Sequence, residues 1–343
     1  MNPEFNTDSF NEDLKLVDKP TTTVPDGNMF ECMTANEWMV KAKDTPIPKP
    51  LYLSMWHEGE IGFLIGSTNT GKSLLAVVIA LKIAKHQVVI YIDLEMSEIQ
   101  FRIRYSEGNK DYKFPDNFYR IAFKDQHTIP EGTDATDYII QSFEEIAEKY
   151  DAKVMIIDNV TYLGASTGTS KDVLPLLRKL KNWQRKRKGL SLLILGHTPK
   201  RPDSQPLTIN DIFGSSMQGN FCDVAFAIGH SIKDTNWRYV KQLKARLCAI
   251  EYDASNVVIY EIDKLSNGLL DLVYQKESSE KEHTIKEFDP NEDTDEAKWS
   301  IAFNHRKEGL SDRAIGREMG TSHGTIGKWI RKHIKAEAEK KEN

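Results

Sequence analysis

Apolar residues along this chain come in short unbroken runs separated by longer amphipathic stretches. Ile61 to Ile65, Val88 to Leu94, Phe118 to Phe123, Val154 to Ile157, Ser191 to Leu195 and Val224 to Ile228 are continuous enough to be strands buried on both faces. Between them, residues 73–85, 135–150 and 174–189 repeat their apolar positions at helical spacing. A shorter helix is expected to carry Ile99, Phe101, Ile103 and Tyr105, and β-like runs recur at 239–243, 257–260 and 269–274. This alternation predicts an α/β fold with a mainly parallel twisted sheet covered by helices on both faces.

The flanks read differently. Residues 1–49 are polar and are expected to be an N-terminal tether with one short helix at 34–43, and Leu51 to Trp56 leads into the core. The core domain is assigned to 50–275. Residues 276–295, "KESSEKEHTIKEFDPNEDTD", are acidic and poor in apolar residues, which reads as a flexible linker. Residues 296–343 form a last, small all-α unit. A first helix at 296–306 is followed by Ile315 and Met319 on one face, a turn at Gly320, and Ile326, Trp329 and Ile330 on the next helix. Small Gly316 allows close approach. This is a helix-turn-helix pattern. Ser322, His323, Thr325, Lys328 and Arg331 lie on or near the exposed face, and the tail from Lys328 to Lys341 is basic. Double-stranded DNA contact is the expectation for that face, with a three-helix protein-interaction module as the alternative.

Bulk composition narrows the class only slightly. The net charge is −5, so nucleic-acid binding has to rest on local patches. Cys32, Cys222 and Cys248 are scattered without a paired spacing, which fits a reducing compartment. No apolar run has the length of a membrane span, so the expectation is a cytoplasmic protein with no membrane partner. The basic helix at 174–189 reads as a solvated face in preference to a DNA contact.

The chemistry is concentrated after the first core strand. Gly66-Ser67-Thr68-Asn69-Thr70-Gly71-Lys72-Ser73 has the spacing of a phosphate-binding loop, and Leu74 opens the helix behind it. Loop amides and a helix N-terminus suit phosphate oxygens. Lys72 would reach the β and γ phosphates of ATP, and the Ser73 hydroxyl would hold Mg2+. Asp158 ends the run Val154 to Ile157, and a carboxylate at the tip of a buried strand beside such a loop is a second magnesium ligand.

These motifs, in this order over roughly residues 50–275, resemble the RecA-like P-loop ATPases. They are most similar to the RepA-type, hexameric plasmid-helicase group, a family related to AAA_25, and to its DnaB-like relatives. The resemblance implies that Glu95 in "YIDLEMS" polarises the attacking water. It also implies that His197 in "GHTPKR" senses the γ-phosphate, and that Gly214, Ser215, Ser216 and Asp223 belong to the family's Gly-Ser-Ser segment. Lys244 and Arg246 in "QLKARL" would form a finger that reaches the nucleotide of a neighbouring subunit. A homo-oligomeric ring, with a hexamer as the expected form, and single-stranded DNA in its channel near 164–172 and 199–213 follow from the same resemblance. Two features depart from it: there is no large N-terminal collar domain, and the C-terminal helix-turn-helix is not a fixed part of the pattern. Three readings stay open: a DNA-stimulated motor of a plasmid or mobile element, an ATP-gated DNA-binding switch with slow hydrolysis, and a KaiC- or RadA-like scaffold.

Overall fold

The computed structural model describes residues 30–124, 129–161, 163, 173–198, 206–212, 218–284 and 295–342. Residues up to Ile47 form a unit of their own. There, α1 (Ala35–Ala42) starts at a capping box in which the Thr34 hydroxyl accepts from the Glu37 amide and Glu37 answers the Thr34 amide. It buries none of its residues.

From Pro48 onward the chain is built on one large sheet. β1 (Pro50–Tyr52) and β2 (Trp56–His57) make a small hairpin ahead of β3 (Ile61–Gly66) and α2 (Lys72–Ala84). Next come β4 (Val89–Asp93), α3 (Glu98–Arg104), the hairpin β5 (Ser106–Glu107) and β6 (Lys110–Asp111), and β7 (Phe118–Ile121). α4 (Ala135–Lys149) leads to β8 (Val154–Asp158), and α5 (Leu174–Lys186) leads to β9 (Ser191–His197). β10 (Val224–His230), β11 (Trp237–Lys244), β12 (Val257–Lys264) and β13 (Leu270–Ser278) close the core. The strand order is β13-β12-β11-β10-β3-β9-β8-β4-β7. The six strands from β10 to β7 are parallel, and β11, β12 and β13 add an antiparallel flank.

Period-two alternation explains why whole apolar runs are needed. Leu64, Tyr91, Ile156 and Leu193 point to the face covered by α2, while Phe63, Ile90, Met155 and Leu192 point to the face packed by Phe143 of α4 and Leu177 of α5. α2 is apolar nearly all round and is buried in one cluster with strand side chains and the aromatic residues Phe101, Tyr105 and Phe114. On α5 the buried positions are Leu176, Leu177, Leu180 and Trp183; Leu174, expected on that face, is only partly covered. Among the described residues no helix is long and apolar enough to cross a membrane.

The acidic segment is folded further than its composition suggests. β13 runs on to Ser278, and α6 (Glu280–Thr284) buries Glu280, His283 and Thr284 against the core. Burial of these polar groups is compensated by specific partners: Lys241 reaches the Glu280 carboxylate at 2.6 Å, and Ser231 meets His283 at 2.7 Å. The stretch read as linker from residue 276 therefore belongs to the core through Thr284.

Three helices follow: α7 (Asp295–Lys307), α8 (Asp312–Glu318) and α9 (His323–Glu342), around a core of Ile301, Ala302, Ile315, Met319, Ile326 and Ile330. Gly320 takes a positive φ of 62° in the turn between α8 and α9. Gly316 is required for a different reason: a Cβ there would lie 2.6 Å from the carbonyl oxygen of Thr321, which is backbone and has no room to retreat. Gly316→Ala should cost this three-helix unit about 1–3 kcal/mol through overpacking. Limited proteolysis would show it as faster cleavage confined to residues beyond Asp295, with the core fragment as resistant as in the parent protein.

Candidate nucleotide site

The parallel strands bring the chemistry to one edge. Register pairs Gly66 with His197 and Asp93 with Asp158, so the C-terminal ends of β3, β9, β8 and β4 stand side by side. In an open α/β sheet this edge is where ligands bind.

The loop Gly66–Ser73 turns back over the end of β3. Gly71 sits at φ 94° and Asn69 at φ 64°, and α2 begins at Lys72 with no side-chain cap on its first amides. Those amides are free donors at the positive end of a helix. Gly66 is a steric requirement, since a Cβ would come within 2.6 Å of the Ile228 carbonyl oxygen. Thr70 closes the turn onto the Ser67 carbonyl at 2.8 Å, and Ser67 meets Thr198 at 3.2 Å. Lys72 donates to the Ser67 carbonyl at 2.8 Å and contacts His197 Nδ1 at 3.2 Å. Burial lowers the Lys72 pKa to about 8, against the pull of Asp158 and Glu95.

Asp158 is buried beside this lysine. Its carboxylate accepts from Tyr91 at 2.5 Å and from the Ser73 hydroxyl, yet desolvation pushes its pKa up to about 6. A carboxylate and a hydroxyl that share one point, next to free phosphate donors, fit a magnesium ion that takes its other ligands from phosphate and water. Magnesium held there would neutralise charge on the β and γ phosphates.

Glu95 lies on the turn after β4, about half exposed. His197 lies 3.8 Å away, an electrostatic contact at that length, and Asn159 donates to the same carboxylate. His197, then Lys72 and Asn159, hold Glu95 below the ordinary glutamate value, outweighing its partial burial. Glu95 is thus a charged acceptor facing the lysine, suited to orienting a water.

Two groups that the motif reading did not name build this turn. Asp93 is buried, accepts from the amides of Glu95 and Met96 at 3.2 and 3.0 Å, and pairs with Arg120 at 2.8 Å. Arg120 also donates to the Met96 carbonyl at 2.5 Å. The available signal was the run "VVIYID", which ends in a carboxylate as "VMIID" does. Asn159, following Asp158 across a cis peptide bond, was likewise unassigned.

Lys244 and Arg246 are elsewhere. Lys244 caps the carbonyls of Gly219 and Cys222 at 2.7 and 2.8 Å, and Arg246, about half exposed, reaches Asp223 at 3.2 Å. Asp223 also accepts from the Ile61 amide, at the opposite end of β3 from the loop. β3 runs between the Asp223 contact of Arg246 and the loop that carries Lys72. Around α5, Lys179 pairs with Asp134 and Asp137, Lys181 with Asp223, and Arg187, just past the helix, with Glu144, while Arg185 and Lys186 are exposed. Ser322, just ahead of α9, and His323, Lys328 and Arg331 on it are exposed, while Thr325 is half-buried and bonded to Ser322 at 2.9 Å. Residues 164–172, 199–205 and 213–217, which include Gly214, Ser215 and Ser216, lie outside the described residues.

A strand, phosphate loop and helix beside a carboxylate-tipped strand define a RecA-like P-loop nucleoside triphosphatase. Residues 31–203, half of the chain, match the AAA domain family AAA_25, and the chain belongs to that family. Among solved structures it is similar to a KaiC-like protein, PH0186, from the hyperthermophilic archaeon Pyrococcus horikoshii OT3. That likeness has a TM-score of 0.47 and 15% identity, over 64% of this chain and 91% of the other. No curated protein sequence matches the chain.

Two outcomes follow from the charges. Asp158→Asn keeps an acceptor for Tyr91 but removes the buried charge. A rise from 3.8 to about 6 is worth roughly 3 kcal/mol at neutral pH. The variant should melt higher than the parent in the absence of nucleotide and metal while losing hydrolysis. Lys72, with its pKa lowered from 10.5 to about 8, disfavours the ligand-free fold below about pH 8, and that cost disappears as pH rises towards 10.5. Phosphates restore its proton, so nucleotide affinity should fall above about pH 8. Calorimetry in buffers of different ionisation enthalpy should detect proton uptake on binding at pH 8.5 that is absent at pH 7.

Proposed function

We propose that this chain is a magnesium-dependent ATPase of the RepA-type, helicase-like kind that works on DNA as a ring of identical subunits. The observation that carries the reading is the convergence of Lys72, Glu95, Asp158 and His197 on one sheet edge. Loop amides and Lys72 bind the triphosphate, Ser73 and Asp158 hold Mg2+, and Glu95 orients the water for in-line attack. His197, in contact with Lys72 and close to Glu95, reports the γ-phosphate to the strand that bears it. Arg246, helped by Lys244, completes the site of a neighbouring copy and stabilises charge on the transferring phosphoryl group. The support for action in trans is that Arg246 pairs with Asp223, which bonds the Ile61 amide at the far end of β3 from its own loop. The three helices α7 to α9 form a helix-turn-helix unit that places Ser322, His323, Thr325, Lys328 and Arg331 against duplex DNA, in a protein of the cytoplasm serving a plasmid or mobile element.

The same C-terminal unit favours a second reading, an ATP-gated DNA-binding switch in which hydrolysis is slow. Hydrolysis measured with and without single-stranded DNA separates the two. The motor reading expects stimulation by single strands and a loss on the order of 10³-fold in Arg246→Ala. Lys72→Ala should also be inactive, and a mixture of the two inactive variants should regain activity, because each supplies what the other lacks. Slow turnover indifferent to single strands, with duplex binding that depends on residues 311–333, would favour the switch instead.

A further inference from the structure

Arg238 belongs to β11, far in sequence from the phosphate loop, yet its guanidinium is buried directly behind it. Nε donates to the Thr70 carbonyl at 2.9 Å, and Nη1 donates to the carbonyls of Thr235 and Trp237 at 2.7 and 2.8 Å. One planar, permanently charged group thus ties the loop backbone to the turn between β10 and β11. Thr70 in turn shapes the loop through its hydroxyl on Ser67.

That turn is itself held from the other side. The Ser231 amide closes it by donating to the Trp237 carbonyl at 3.2 Å. α6 pins it: His283, wholly buried, meets the Ser231 hydroxyl through Nδ1 at 2.7 Å and accepts the Ile232 amide on its carbonyl at 3.0 Å. Its ring lies 6.2 Å from that of Trp237. The base of α6 is fixed by Glu280, which takes Lys241 at 2.6 Å and the Leu207 amide at 3.0 Å.

We infer that Arg238 is a positioning residue for the phosphate loop and that α6 sets it through His283, wiring the segment that leads to the C-terminal helices into the nucleotide site. The inference rests on reading residues 66–73 as that site. A shift of α6 moves the 231–237 turn, the turn moves the guanidinium, and the guanidinium moves the Thr70 carbonyl. The charge of Arg238 also adds to the positive field behind the phosphates.

The test is titration of the intact protein with the fluorescent analogue mant-ATP, alongside steady-state hydrolysis and melting temperature. Arg238→Ala should weaken mant-ATP about tenfold, the loss of one charge-assisted buried bond, and Arg238→Lys should recover part of it. His283→Ala should weaken binding severalfold. His283→Asn, whose amide can stand in for Nδ1 towards Ser231, should retain parental affinity. In the Arg238→Ala background His283→Ala should add nothing, because its effect passes through the arginine, whereas a purely structural role would add in full. Parental affinity in Arg238→Ala, or full additivity in the double variant, overturns the inference. If Arg238→Ala does not fold, equal affinities of His283→Ala and His283→Asn overturn it instead. If the parent protein fails to bind mant-ATP, the reading of the nucleotide site is what falls.

Discussion

At the C-terminal edge of the sheet, carboxylates outnumber the cations that face them. Asp93, Glu95 and Asp158 lie within two adjacent turns, with Lys72 and Arg120 as their basic neighbours. Arg120 is committed to Asp93 and to the Met96 carbonyl, which leaves Lys72 between Glu95 and Asp158. Lys72 is itself partly desolvated, and Glu95 has His197 as a further partner. Asp158, desolvated by burial and then opposed by the charges of Glu95 and Asp93, is pushed towards its neutral form. A site with this electrostatic profile is improved by a ligand that brings positive charge to Asp158 and negative charge to Lys72 together, as a magnesium-bound triphosphate does.

The same constraint explains the mechanical parts around it. Like-charged carboxylates on neighbouring strand ends would relax apart, and Asp93 is fixed by two backbone amides and an arginine before Glu95 is presented at all. Tyr91, one strand over, fixes Asp158 from below. The loop has the complementary difficulty: its amides have to point at space that a ligand will occupy, so the loop must be held from behind. Thr70, Thr198 and Arg238 do that, through bonds to backbone and hydroxyl that leave the front of the loop clear. Strain in the turn is taken by Gly71 and by Asn69, a residue type that tolerates positive φ comparatively well.

What the sequence made legible follows from which interactions are local. The loop, Ser73 and Asp158 were readable because spacing along the chain fixes them, and the strands were readable because both faces of the sheet are buried. Arg238 was not, since its partner Thr70 lies 168 residues away and nothing in "NWRYV" announces it. Arg120 was hidden for the same reason, 27 residues from Asp93. The antiparallel flank β11 to β13 looked like any other set of β runs, because direction is set by connection geometry and not by apolar content. Residues 276–284 misled through averaging: the segment is acidic, yet Glu280 is buried because one lysine and one backbone amide wait for it. Composition reports solvation on average and misses a single buried ion pair.

Arg246 shows how a side chain can be parked at little cost. Its partner Asp223 already accepts from Lys181 at 2.6 Å and from the Ile61 amide at 3.1 Å. If Arg246 left, Asp223 would keep a closer cation and a backbone donor, so no buried charge would be orphaned. Arg246 itself is about half exposed, so solvent screens its side of the pair. Lys244, by contrast, is fastened to two carbonyls that would lose their donor, and it is the less movable of the two. A cation meant to engage phosphate on another molecule has to be displayed, oriented and easily released. By these energetics Arg246 meets that description, while Lys244 anchors the strand end from which it projects.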